Sequence, residues 1–300
     1  MKLQQNTNSS TNSPIEGWGA YYIVIPTYNE EAFIALTLQS LISQTVLPKK
    51  VVVVNDNSTD KTAEIVLAFA KDNPFITLVN KTSSAIHLPG SKVIQAFQKG
   101  FETLDEDYDL IVKIDADLIF PSNYFETIIK HFQSDSTIGM AGGFCYIEKN
   151  GDWILENLTD KDHIRGALKA YRKETFQQIG GLKPAMGWDT VDELLCKYYN
   201  WKVVTDASLH VKHLKPTGAN YSKTARYKQG EAFYTLGYGF WITAIASIKL
   251  AVMKKKPLLF LDYIKGFWKA KKAKTPLLVT KEQARFIQNY RLQKMKDKLF

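Results

Sequence analysis

The segment LIVKIDADLIFP, Leu110 to Pro121, sets two carboxylates two residues apart in a stretch that otherwise reads as a buried strand. A strand sends residues i and i+2 to the same side, so Asp115 and Asp117 put two like charges on one face. Such a pair needs positive charge close by. Carboxylate oxygens suit a hard divalent cation, Mg2+ or Mn2+. A strand end supplies only one or two of its ligands, so water or phosphate must complete the shell. The plainer reading is a pair of strand-end acids neutralised by Lys or Arg.

Other residues could share such a site. Asp56 closes an apolar run, VVVVND, between Asn55 and Asn57. It suits hydrogen bonding to a base or ribose, or an Asx turn beside a helix cap. In GWDTVDELLCKYY, Asp189, Asp192 and Glu193 stand at i, i+3 and i+4, on one helix face. Val191, Leu194, Leu195 and Tyr198 take the other. An acidic face is commonly just solvated, but a reaction at a hydroxyl needs a carboxylate base, and this cluster offers one. Trp188 is placed to stack on a sugar or to cover the core. Of His210 and His213, which flank Val211-Lys212, His213 is the candidate third metal ligand.

The elements that must position these residues alternate. YYIVIPTY, KKVVVVND, FITLVN and LIVKIDAD read as strands. Between them lie helical patterns, the second with N-cap candidates Ser58, Thr59 and Asp60 and the third opened by Pro89-Gly90. A β-α-β-α series predicts a doubly wound sheet, with ligands bound outside the carboxyl ends of its strands. Those ends read PTYNE, NDNSTD and DAD, polar and together acidic. No G-x-G-x-x-G follows the first strand and no G-x-x-x-x-G-K-[ST] occurs, which argues against a dinucleotide oxidoreductase and a P-loop NTPase. After residue 136 the pattern becomes mixed, with strands at IGMAGGFCYIEK and KVVTDASLHVKHL.

Charge is unevenly spread. Residues 249–300 hold fifteen Lys or Arg against three acids, which leaves residues 1–248 at −3 within a total of +9. Such asymmetry points to a polyanionic surface. Two distant cysteines, Cys145 and Cys196, suit core thiols in a reducing cytoplasm.

IVIPTYNEEAFIALTLQSLISQ, VVVVNDNSTDKT, KIDADLIFP, AYRKETFQQIGGL and GWDTVDELL, in this order and spacing over residues 21–215, resemble the family 2 glycosyltransferases. The resemblance implies a GT-A (nucleotide-diphospho-sugar transferase) fold: an α/β architecture with a Rossmann-like, mostly parallel sheet flanked by helices. It implies transfer of a sugar from a UDP- or GDP-sugar, with inversion, to a glycan or lipid-linked acceptor. By position, Pro26, Thr27, Tyr28, Glu30, Asp56, Gly90 and Lys92 would line the nucleotide. Asp115, Asp117 and His213 would hold Mn2+ or Mg2+ on the donor diphosphate. The base would be Asp192, with Asp189 as the alternate and Glu193 beside it. The family's paired aspartates after the second strand fall on Asn55 and Asp56, so only one is kept.

The expected organisation is a flexible tail at 1–20, a catalytic domain at 21–225 and a helical extension at 226–300. In the extension, two apolar, aromatic stretches flanked by lysines predict helices lying in the interface of an anionic membrane. A helix packed on the catalytic domain and a membrane span are the alternatives. The enzyme is then expected in the cytoplasm, at the inner face of the membrane. Rival readings are a nucleotidyltransferase using the same acidic crevice, a phosphatase of the haloacid-dehalogenase type, and an inactive scaffold module. Nucleic acid is not an expected partner, because the aromatics of the basic segment lie in apolar runs rather than on a polar stacking face.

Overall fold

The computed structural model of the protein describes residues 17–82, 90–156, 161–215 and 227–297. Its centre is built from strands that are apolar almost throughout. β1 (Tyr21–Thr27), β2 (Lys50–Asp56) and β4 (Leu110–Ile114) are buried at nearly every position, as parallel strands covered on both faces must be. β3 (Ile76–Lys81), at the edge, is only partly buried. Helices α1 (Ile34–Ile42), α2 (Thr62–Asp72) and α3 (Ser91–Phe101) make the crossovers, and α4 (Tyr124–Ser134) follows the turn after β4.

The second half is mixed. It comprises β5 (Leu118–Ile119), β6 (Ile138–Lys149), β7 (Asp152–Leu155), β8 (Leu168–Arg172), α5 (Lys173–Gln178), α6 (Trp188–Tyr198) and β9 (Lys202–His213). The sheet runs β3-β2-β1-β4-β8-β6-β9-β5, with β7 paired to β6. β1 pairs in parallel with β2 on one side and β4 on the other. The strand order therefore reverses between β1 and β4, and the crevice at their carboxyl ends is where such sheets bind ligands.

Three expectations change. The DAD segment is not strand: β4 stops at Ile114, residues 115–117 turn, and β5 then pairs antiparallel with the end of β9, Leu118 opposite His213. The chain forms an extra hairpin, β6–β7, at Asn150-Gly151, whose φ values of 55° and 88° give the left-handed pair that a tight hairpin turn uses. The predicted tail is folded at its end: the Gly19 and Ala20 N–H groups donate to Asp109 Oδ2 at 2.7 and 2.9 Å. Residues 1–16 and Pro89 lie outside the described residues.

Among the described residues the extension forms four helices rather than two: α7 (Lys228–Thr235), α8 (Gly239–Met253), α9 (Leu259–Lys272) and α10 (Lys281–Asp297). Among the described residues no helix is long and apolar enough to cross a membrane. Phe233, Leu236, Tyr238, Ile242, Val279, Ala284 and Ile287 belong to the same hydrophobic core as the sheet.

Candidate active site

A buried hydroxyl braces the turn that follows β4. Thr37 Oγ1, on α1, donates to the Ala116 carbonyl at 2.7 Å and accepts from the Leu118 N–H at 3.1 Å. This fixes the backbone between the two aspartates and sends their side chains to different partners.

Asp117 is buried and faces His213, its Oδ2 lying 3.5 Å from Nε2. The other ring nitrogen, Nδ1, is 2.8 Å from Glu156 Oε2, and Glu156 is bridged in turn by Arg165. A neutral imidazole that donates Nδ1–H to Glu156 presents its Nε2 lone pair to a carboxylate. That contact is stable only with a cation between the two groups or a proton on Nε2. Burial lowers the His213 pKa, but Asp117 and Glu156 outweigh it and lift it to about 9. A carboxylate–histidine pair oriented by a second carboxylate is a recurrent way to hold a metal, and the oxygen–nitrogen donor set fits Mn2+ or Mg2+. Cys145 Sγ joins Glu156 and His213 in one buried group whose candidate donor atoms lie within 4.8 Å of one another.

Asp115 is more exposed and takes the ammonium of Lys113, which is buried within β4 and also donates to the Gly166 carbonyl at 2.8 Å. The plainer sequence reading, neutralisation by lysine, thus describes Asp115. Glu30, after β1, completes the acidic floor. Its Oε1 accepts from Lys215 at 2.5 Å, while Oε2 is buried without a partner among the described residues. Burial, with the nearby charges of Asp117 and Asp115, raises the Glu30 pKa against the pull of Lys215.

The three carboxylates of α6 separate clearly. The Asp192 side chain is only 2% exposed. It accepts from Lys169 Nζ at 2.9 and 3.0 Å, from the Tyr171 hydroxyl at 2.6 Å and from the Glu193 N–H at 2.6 Å. Burial raises its pKa, with Lys169 opposing. Glu193, also buried, accepts from the Ile164 N–H at 2.8 Å and lies 3.1 Å from His163 Nδ1. Burial would raise Glu193 too, but Lys169 and His163 prevail and hold it at about 2. Asp189, in the first turn, keeps 36% of its side chain open to solvent. Gly166 lets it close on the D-x-D region: a Cβ there would sit 2.6 Å from the Trp188 ring and 3.1 Å from Asp189 Cβ. Trp188 itself is buried, with the Lys113 and Lys169 ammonium groups 5.1 and 5.7 Å from its ring centre.

The remaining predicted residues border the same crevice or leave it. Pro26 and Thr27 end β1, the Thr27 hydroxyl donating to the Val54 carbonyl at 2.9 Å, and Tyr28 is exposed. Asp56 ends β2 with Lys81 Nζ at 3.4 Å. Gly90 caps α3 in a left-handed conformation against the Ala185 backbone, and Lys92 lies in the first helical turn. His210 stacks on Tyr146 and binds the Ala207 carbonyl, away from Asp117. Sequence reasoning missed Lys113, Lys169, Glu156 and His163. The two lysines were visible as lone cations inside the apolar runs LIVKI and ALKAY, where burial demands an anionic partner.

The model of glycosyl transferase family 2 matches residues 22–185. The chain belongs to that family. The glycosyltransferase GlyA of Streptococcus pneumoniae serotype 4 is 26% identical over 182 residues, which cover 52% of this chain and 25% of GlyA. The chain thus spans about a quarter of that relative's length. Among solved structures, a mannosyltransferase of Pyrobaculum calidifontis in complex with GDP-Man and Mn2+ matches with a TM-score of 0.53 and 15% identity, covering 93% of this chain and 81% of that one. S. aureus TarS in complex with UDP-GlcNAc matches with a TM-score of 0.53 and 18% identity over 76% and 66% of the two chains. The fold of this family 2 chain is GT-A. The family match ends before α6, so the carboxylates of that helix lie outside it.

Proposed function

We propose that the protein is an inverting glycosyltransferase that moves a sugar from a UDP- or GDP-sugar onto a hydroxyl of a glycan or lipid-linked acceptor. The observation that carries this reading is the meeting of Asp117 with His213 at the β1/β4 switch point of a family 2 chain. Asp117 and His213 would hold Mn2+ or Mg2+, which when bound supplies positive charge to the diphosphate leaving group. Asp115 stays beside that position, restrained by Lys113. Pro26, Thr27, Tyr28, Asp56 and Lys92 border the space for the nucleotide, and Glu30 lies under its phosphates.

The base is Asp189 rather than Asp192. A general base must come within hydrogen-bond reach of the acceptor hydroxyl. Asp192 is enclosed and already accepts from Lys169, Tyr171 and a backbone N–H, whereas Asp189 is open to solvent. Asp192 and Glu193 act by position: with Lys169 and His163 they fix the start of α6, and so the place of Asp189. Two buried free cysteines and the lysine-rich extension suit a cytoplasmic enzyme working at an anionic membrane.

The test is nucleotide release across a panel of UDP- and GDP-sugars, with Mn2+ or Mg2+ and then EDTA. Release from one donor, lost with EDTA and in Asp117→Ala, is expected. Asp189→Asn should still bind donor and lose transfer by about 100- to 10,000-fold. Metal-independent release by Asp117→Ala, or full transfer by Asp189→Asn, overturns the corresponding assignment.

A further inference from the structure

The extension carries a surface that the donor site does not use, and α8 shows it most clearly because the helix is built inside out. Toward the protein it turns Ile242, Thr243, Ser247 and Ala251, all buried. Toward solvent it turns Trp241, Ile245, Ile248 and Val252, with Trp241 75% and Val252 71% exposed. Spacings of four, three and four residues make these one stripe along the helix. Across the turn, α9 continues the surface with Leu261 and Trp268, and the Phe240 ring lies 5.8 Å from that of Trp268. Single exposed apolar residues need no explanation. A helix that hides a threonine and a serine while exposing a tryptophan and three large aliphatics does.

Charge decides what covers this face. Between residues 249 and 274 there are nine lysines and one acid, Asp262, which is buried. Lys249, Lys254, Lys255, Lys256, Lys265 and Lys269 are exposed around the stripe. A second copy of the chain would bring the same lysines against these and be repelled. An anionic bilayer satisfies both features: its acyl boundary takes the aliphatic stripe, its headgroup layer takes the tryptophans, and its phosphates take the lysines. α8 has 15 residues, whereas a span needs about 20.

We propose that the exposed face of α8 and α9 docks the protein onto an anionic lipid surface, with both helices lying in the interface. The reach of the crevice to a lipid-linked acceptor rests on the transferase reading; the docking itself does not. α8 begins one residue after Tyr238, whose hydroxyl accepts from Arg291 at 2.7 Å and whose surroundings include the charges of Asp189 and Glu193.

The test is flotation of the full chain with vesicles of phosphatidylcholine alone and with an equal mixture of phosphatidylcholine and phosphatidylglycerol. Binding to the mixture only, weakened by salt, is expected. Trp241→Ser/Ile248→Ser should cut the bound fraction by about tenfold or more, and so should Lys254→Ser/Lys255→Ser/Lys256→Ser. Nucleotide-sugar binding by calorimetry should be unchanged in both variants, since the altered side chains are exposed and outside the crevice. Absence of flotation, equal binding to neutral vesicles, or binding indifferent to Trp241→Ser/Ile248→Ser overturns the proposal. So does a concentration-dependent dimer that the same double variant abolishes. Vesicle binding without binding of any nucleotide sugar would leave docking in place and remove the transferase reading.

Discussion

Asp115 and Asp117 are two residues apart and have different partners, one a buried lysine and the other a buried histidine. Asp115 and Asp117 were conspicuous in the sequence as carboxylates at the end of an apolar run, and the structure sets Asp117 beside His213. The roles of Asp189, Asp192 and Glu193 were not legible there. A helical wheel puts all three on one face but cannot say which of them another part of the chain will cover. Lys169 holds the two buried ones, and removing it leaves Asp192 without a buried cation and Glu193 with His163 alone. Lys169→Met should therefore cost about 3–5 kcal/mol, read by urea unfolding. Glu193 gives a pH signature of known sign. Its folded pKa is lowered from 4.5 to about 2, so its stabilisation is fully present above pH 4.5 and is lost as pH falls toward 2. The stability gap between wild type and Glu193→Gln should be flat from pH 7 to 5 and shrink below that. A gap that widens on acidification would mean that Glu193 is held protonated.

At the scale of elements, the alternation of strand and helix up to α4 was readable because parallel strands buried on both faces are continuously apolar. Two local features were harder. The turn that follows the end of β4 at Ile114 is braced by Thr37, a residue of α1 that sequence spacing does not connect to Asp115. The β6–β7 hairpin had a local signal, Asn150-Gly151 between Lys149 and Asp152, which is a strong turn dipeptide. That hairpin matters to the site: the Glu156 N–H, just after β7, donates to the Cys145 carbonyl at 2.9 Å, which sets Glu156 beside His213. Thr37→Val keeps the shape of the side chain and removes its hydroxyl, so the Ala116 carbonyl and Leu118 N–H lose a buried partner. A cost of about 1–3 kcal/mol is expected. Because the turn carries Asp117, the Mn2+ concentration for half-maximal nucleotide release should also rise. A loss of stability with an unchanged metal requirement would separate the brace from the site.

For the molecule as a whole, the sequence suggested a catalytic domain with an appendage beginning at residue 226, since composition changes there. Composition reports only what a segment contains, and the packing says that the extension completes the core. α10 packs on α6: Phe286 lies 5.4 Å from Tyr198, ring centre to ring centre, and Gln283 donates to the Tyr199 hydroxyl at 3.3 Å. Leu236 closes on Gly187, the residue before α6, and Ile287 is fully buried. This packing covers the Tyr198 flank of α6, while Lys169, Tyr171 and His163 cover Asp192 and Glu193, so a helix read from its sequence as half solvated is buried from Val191 to Cys196. A chain cut after residue 226 would expose Leu236's partner surface together with the flank of α6 that Phe286 and Ile287 cover. Deleting one large apolar side chain from a core costs about 2–5 kcal/mol. The cut deletes several at once, against a total stability of about 5–15 kcal/mol for a typical domain. The truncated chain is therefore expected to be insoluble or to lack cooperative thermal unfolding by circular dichroism, while the full chain with an altered lipid face, Trp241→Ser/Ile248→Ser, melts like wild type. A truncated chain that melts cooperatively and binds a nucleotide sugar would restore the appendage. The extension would then serve the lipid surface alone, with no part in holding Asp189 at the crevice.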